Sequence, residues 1–247
     1  MKAWTAAFVG FLAFQEDPAV KELAKGYRHA WEGFGGGSWV KVRETSRRPE
    51  IDDGGNLVYR PIVEERLYTL LRPEGERPHL KIEGGGHESV VPFFAGPPSW
   101  LRGKAEPQGE EKIAVGGRTY ACAVTRIALD EGKDASQATT VARAPDAPVW
   151  AVRLRIETFA NGVRNTLEEH LLVEEGRALK VGDREVVCQV VQVTVEGVGG
   201  GKTVRREWRS DAVPGRVVRS EVRQFLNGKE VQAAGSVMEV ASFRAIK

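Results

Sequence analysis

Cysteine is nearly absent from this chain, with only Cys122 and Cys188 among 247 residues. That excludes a disulfide-stapled scaffold, in which bridges substitute for a hydrophobic core. A surplus of one charge is lacking too: 36 Lys and Arg stand against 34 Asp and Glu, a net charge of +2. Phosphate-led affinity needs a basic excess gathered on one face, so no nucleic-acid partner is expected. The four histidines, His29, His79, His87 and His170, are nowhere spaced as a metal pair, and EEH at 168–170 lacks the second histidine of a zinc-protease helix. No GxSxG elbow occurs, and neither cysteine has a context that lowers a thiol pKa. Carboxylate neighbours such as Glu64 and Glu65 point to opposite faces of a strand and cannot flank one bond. No catalytic residue, metal or cofactor is predicted.

Long hydrophobic runs are also missing, with one exception. Ala3–Phe14 follows a single lysine and has the length of a signal-peptide core, too short to span a bilayer. Residues 1–16 therefore predict export to the cell envelope, periplasmic or secreted. The alternative is a retained apolar segment that packs on the fold or anchors it.

What the chain does contain is a repeat. Shifted by 66 positions, residues 110–162 lie on 176–228 without a gap. The identities are Val115/Val181, Gly116/Gly182, Arg118/Arg184, Cys122/Cys188, Val124/Val190, Arg143/Arg209, Pro148/Pro214, Val152/Val218, Arg153/Arg219, Phe159/Phe225, Asn161/Asn227 and Gly162/Gly228. Typical residue usage predicts roughly three or four such matches by chance, so duplication is the simplest reading. Asn161-Gly162 and Asn227-Gly228 each follow a β-type run, and both residues of such a pair tolerate the positive φ of a tight hairpin. Val152, Leu154 and Ile156 alternate with Arg153, Arg155 and Glu157, as one apolar and one polar strand face require.

The pattern predicts an all-β protein with one N-terminal helix: a long antiparallel meander forming a curved sheet or a partly open barrel. Strands are expected near 38–46, 58–72, 78–83, 110–115, 118–129, 137–144, 149–160, 163–174, 177–181, 184–196, 202–210, 216–226 and 229–243. Residues 17–247 read as a single domain. It comprises a helix at 17–35, a divergent first unit at 38–109, and tandem units at 110–175 and 176–247. Asp17 can cap the helix, Pro18 suits its first position, and Val20, Leu23, Ala24, Tyr27, Trp31 and Phe34 form its apolar stripe. Cys122 and Cys188 fall about four strands apart, roughly 19 Å in a flat sheet, so they are expected as buried free thiols.

Three further segments invite a functional reading. GVGGGKT (197–203) resembles a phosphate-binding loop, but Glu196 stands where the first glycine belongs and a strand follows where a helix is needed, so a hairpin turn is expected. Arg205, Arg206, Arg209, Arg216, Arg219 and Arg223 crowd one hairpin, where interleaved Glu207, Asp211 and Glu221 predict a solvated face of ion pairs. SVVPFFAGPPSWL (89–101) is too apolar for a free loop; Phe93, Phe94, Trp100 and Leu101 must plug the core or lid an apolar cavity. His87-Glu88 falls in the same glycine-rich loop region.

GSWVKVRET (37–45), VGDREVVC (181–188) and WRSDAVPGRVVRSE (208–221) resemble a bacterial exported β-repeat family with no established activity. The helix followed by an incomplete barrel is similar in architecture to the half-barrel of periplasmic lipoprotein carriers. That second resemblance implies a hydrophobic groove and a lipid or other hydrophobic small molecule as ligand. The expected lining is Phe93, Phe94, Trp100, Tyr120, Val124, Val152, Leu154 and Ile156. The expected function is a non-enzymatic envelope protein with a lipid-like ligand in the concave face of its sheet. The alternatives are an interaction module that engages an envelope protein through sheet edges, and a hydrolase on the 84–108 loop.

Overall fold

The computed structural model describes residues 17–72, 77–92, 98–130, 135–231 and 234–247, with the side chain of Asp130 excepted. The chain forms one open, antiparallel, 14-stranded sheet. Its strands are β1 (Trp39–Ile51), β2 (Leu57–Leu71), β3 (His79–Gly84), β4 (His87–Pro92), β5 (Lys104–Val115), β6 (Arg118–Asp130), β7 (Ala135–Arg143), β8 (Arg153–Ala160), β9 (Val163–Val181), β10 (Arg184–Gly197), β11 (Gly201–Arg209), β12 (Val217–Leu226), β13 (Lys229–Glu230) and β14 (Ser236–Arg244). From edge to edge the order is β4-β3-β2-β1-β14-β12-β11-β10-β9-β8-β7-β6-β5, with β13 paired to β12 alone. Of the two architectures expected, the open sheet is the one adopted.

Every neighbouring pair is consecutive in sequence except two, β12–β14 past the short β13 and β14–β1, where the last strand meets the first. The free edges, β4 and β5, are therefore consecutive in the chain. Pro92 and Lys104 can be at most about 40 Å apart along an extended chain, whereas a flat sheet of this order is roughly 55–60 Å wide. The sheet must curl. Close approaches of β5 to β9, and of β9 to β14, mark where it does.

The helix is shorter than its apolar stripe suggests. α1 covers Pro18–Ala24, and turns carry the chain from there to β1. Lys25 leaves the helical conformation at ψ 129° and Gly26 follows at φ +82°, a left-handed value that ends the helix at little steric cost. The stripe is buried nonetheless, because Trp31 and Phe34 pack from irregular backbone. Asp17 caps α1 through Ala19 N–H (2.8 Å) and also accepts from Ala105 N–H of β5 (3.0 Å). Those two bonds, the Ala105 bond foremost, hold its carboxyl below the usual range.

Three stretches of strand exceed expectation. β1 runs on through 47–51 and β5 begins at 104, and His87-Glu88 opens a regular strand, not a loop. Conversely, 163–174 and 177–181 are one strand, bulged twice against β10. The expected 229–243 strand is split into β13 and β14. β14 pairs β1 only as far as Thr45 and β3 pairs β2 only from Arg66, so residues 46–65 project as a two-stranded arm.

Several positions 66 apart share burial or backbone conformation. Cys122 and Cys188 are fully buried on β6 and β10 and neither is in a disulfide. Val152 and Val218, Val124 and Val190, and Ala144 and Ser210 are buried in parallel. Asn161 and Asn227 have φ of 51° and 49°, and the glycines after them 74° and 77°. Among the described residues no helix is long and apolar enough to cross a membrane.

Candidate functional site: a groove at the hairpin ends

Of the eight lining residues expected from sequence, the six that are described do not gather around one cavity. Phe93 and Phe94 lie outside the described residues. Tyr120, Val124 and Val152 pack in a cluster with Cys122, Leu172 and Val193. Leu154 and Ile156 belong to another, with Ile127, Val141 and the α1 residues Val20 and Leu23. The register accounts for part of the split. Val124 faces Ala142 and Ile127 faces Thr139 across β6–β7, so the first pair and the second occupy opposite faces of the sheet. Leu154 and Ile156 lie opposite Val141 and Thr139, on the face that α1 covers. Trp100 is half-buried edge-on to Tyr27, with ring centroids 5.7 Å apart and Trp150 beside both. Trp150 Nε1–H is satisfied by the Leu23 carbonyl at 3.1 Å. Tyr120 donates its hydroxyl to Glu175, and burial, with that carboxylate, pushes the phenol up to about 12.

Neither thiol is activated. Burial pushes Cys122 up, and Cys188 to about 11. The acid–base neighbours that do meet are Glu168 and His170, at 2.6 Å on the helix-side face of β9. The His170 bond holds the Glu168 carboxyl below its usual value. Arg209 closes the other side of that ring at 3.5 Å and is itself bound to the buried Glu207 at 2.5 Å, as is Arg205 at 2.6 Å. The arginine-rich hairpin is largely neutralised in this way: Arg206 meets Glu174, Arg216 meets Asp211, and Arg219 meets Glu221 and Glu239. Among the described residues no group of three or more His, Cys, Asp or Glu could hold a metal ion.

A groove of about 550 Å³ opens elsewhere, at the end of the sheet where the β8–β9, β10–β11 and β12–β13 turns meet. Alternate turns of a meander fall at one end, which is why the two Asn-Gly hairpins flank GVGGGKT here. As expected, that segment is a hairpin turn between strands. Gly199 and Gly200 have φ of 85° and 78°; a Cβ on Gly200 would lie 2.6 Å from Asn227 Oδ1, and Asn227 N–H donates to the Gly200 carbonyl at 3.2 Å. Glycine thus lets one turn seat against the next.

Glu196, Lys202 and Phe225 lie opposite one another on β10, β11 and β12, so they share a face, with Val204 two residues along from Lys202. Val198, Val204 and Phe225 supply apolar surface; Arg164 and Lys202 supply cations. Among the described residues each cation has one ion-pair partner: Glu157 for Arg164 at 3.7 Å and Glu196 for Lys202 at 3.1 Å. Arg164 and Lys202 are nearly half exposed, so these pairs contribute little and can be exchanged for a ligand anion. The lining residues were not foreseen as a site. Their signal was the position of the turns, all three of which the sequence had marked. Comparison with protein families, curated proteins and solved structures found no match.

Proposed function

We propose that this is a non-enzymatic cell-envelope protein that holds an amphipathic, lipid-like molecule on its sheet, in the groove at the hairpin ends. One observation carries the reading: apolar Val198, Val204 and Phe225 stand beside weakly paired Arg164 and Lys202 in a groove of about 550 Å³. An acyl chain takes the first set and an anionic headgroup the second. The internal clusters leave the notional concave lining less suited, since Tyr120, Val152 and Cys122 are already packed against other side chains of the protein. The absence of an activated thiol, and the engagement of His170 by Glu168 and Arg209, support a binding role over hydrolysis. Calorimetric titration with monomeric oleate is expected to saturate at one site. Lys202→Glu is expected to weaken it about tenfold and Phe225→Ala about three- to tenfold. Failure of oleate and lysophosphatidylglycerol alike to bind would remove this reading.

A second reading has its own support. All six residues of the edge strand β4 are exposed, Val90 and Val91 among them. An unpaired strand of that kind accepts another by main-chain hydrogen bonding. An envelope partner captured through β4 is distinguished by its loss on Val90→Pro, which leaves oleate binding unchanged.

A further inference from the structure

The β1–β2 arm has an apolar side with no described residue packed over it. Its register pairs Ile51 with Leu57, Pro49 with Tyr59, Arg47 with Pro61 and Thr45 with Val63. Opposed residues share a face, so Ile51, Leu57, Pro49, Tyr59, Pro61 and Val63 form one stripe. Ile51 is 76% exposed, Leu57 60%, Tyr59 44% and Val63 56%. Both edges of the arm are unpaired over 46–65, and an isolated two-stranded hairpin is marginal in water. Such a stripe persists on an extended arm because something receives it.

The register also says which way the stripe faces. Thr45 pairs with Val237, Val237 with Glu221, and Glu221 with Arg206, while Phe225 and Lys202 follow on the same side of β12 and β11. The stripe and the groove therefore lie on one face of the sheet. Among the described residues, Arg47, within the stripe, and Arg223, between stripe and groove, enter no ion pair. Asp52, at the tip, is engaged by Gly54 N–H, Asn56 N–H and Asn56 Nδ2 at 2.7–3.3 Å.

We infer that the arm docks on an anionic lipid surface, seating Ile51, Leu57, Tyr59 and Val63 at the headgroup boundary with Arg47 beside them. The choice of a lipid surface rests on the lipid-ligand reading, since the same face carries the groove. A second copy of the chain is the weaker occupant. The stripe amounts to a few hundred Å², in the range of the largest patch on a monomer and short of the roughly 800 Å² per partner of a stable dimer. A bilayer interface sets no such area, takes tyrosine at its boundary, and answers the free guanidiniums with phosphates.

The test is co-sedimentation of the full chain with vesicles of phosphatidylcholine alone or mixed with phosphatidylglycerol. Binding is expected to the mixed vesicles, and the Ile51→Asn, Leu57→Asn, Val63→Asn triple variant is expected to lose it about tenfold or more. Arg47→Gln is expected to weaken it about fivefold on the mixed vesicles alone. Because every changed side chain is exposed, circular dichroism should show the fold unaltered. Equal sedimentation of the triple variant, or none by the native chain, overturns docking; so does a vesicle-independent dimer that the triple variant dissolves. Oleate titration separates the two readings. A chain that takes oleate but ignores both vesicle types defeats docking alone, and one that binds vesicles but not oleate defeats the ligand groove alone.

Discussion

Strands β6–β8 and β10–β12 lie 66 positions apart in the chain and present two different surfaces. Toward the closely packed end both bury matching residues: Tyr120 and Val186, Cys122 and Cys188, Val124 and Val190 on one face, and Val152 and Val218 near the strand entry. On the other face they diverge. Ile127, Val141, Leu154 and Ile156 are apolar under α1, while their counterparts 66 positions on are Val193, Glu207, Ser220 and Val222. Where α1 lies, the sheet face is hydrocarbon; where it does not, Arg205, Glu207 and Arg209 form an ion-paired surface. The difference teaches that what covers a strand, and not its place in a repeat, decides the chemistry of its second face.

The sharpest break targets the matched burial of Val152 and Val218. Val152→Asp and Val218→Asp each place an unpaired carboxylate where no surface is exposed, and each is expected to cost about 4 kcal/mol or more in urea unfolding. Similar losses at both sites are the expected result; tolerance at either would end the equivalence.

Next comes the divergent face. Leu154→Ala opens a cavity beneath α1 and is expected to cost about 2–4 kcal/mol, whereas Ser220→Ala, at the matching position, is expected to cost under about 1 kcal/mol. A smaller effect follows from Glu207→Gln, which leaves Arg205 and Arg209 facing each other with a neutral amide. With both arginines more than a third exposed, solvent screening reduces the loss to about 1–2 kcal/mol.

The smallest effect is on the acid side. The His170 bond depresses the Glu168 pKa in the folded state, so its contribution is present above the unfolded carboxylate value and is lost as pH falls through the folded one. Thermal midpoints measured from neutral to acid pH should therefore fall less steeply in Glu168→Gln than in the native chain.

Much of this fold was legible from residue pattern. Alternation along Val152–Glu157, the two Asn-Gly turns and the 66-residue spacing of Cys122 and Cys188 led to antiparallel hairpins and free thiols, both present. The β1 half of the arm and the start of β5 escaped because SRRPEI and KAEPQG carry prolines and charge. Such residues sit comfortably in a strand whose N–H faces no neighbour, as at Pro49 and Pro61, or at a bulge, as at Pro107. The helix was overread because Trp31 and Phe34 keep helical spacing while packing from turns. The groove was hidden for a different reason: its residues come from three hairpins, and only the parity of turns in the meander brings them to one end.

The pairing of β14 with β1 has a consequence for synthesis. Among the described residues, β1–β4 join the rest of the sheet only through a strand made about 190 residues after β1 itself. At about 5–20 residues per second, the nascent N-terminal strands wait roughly 10–40 s for their neighbour. Until then the emerging chain presents two unsatisfied strand edges and the apolar side of the arm, so a holding chaperone at that stage would raise the yield of native protein.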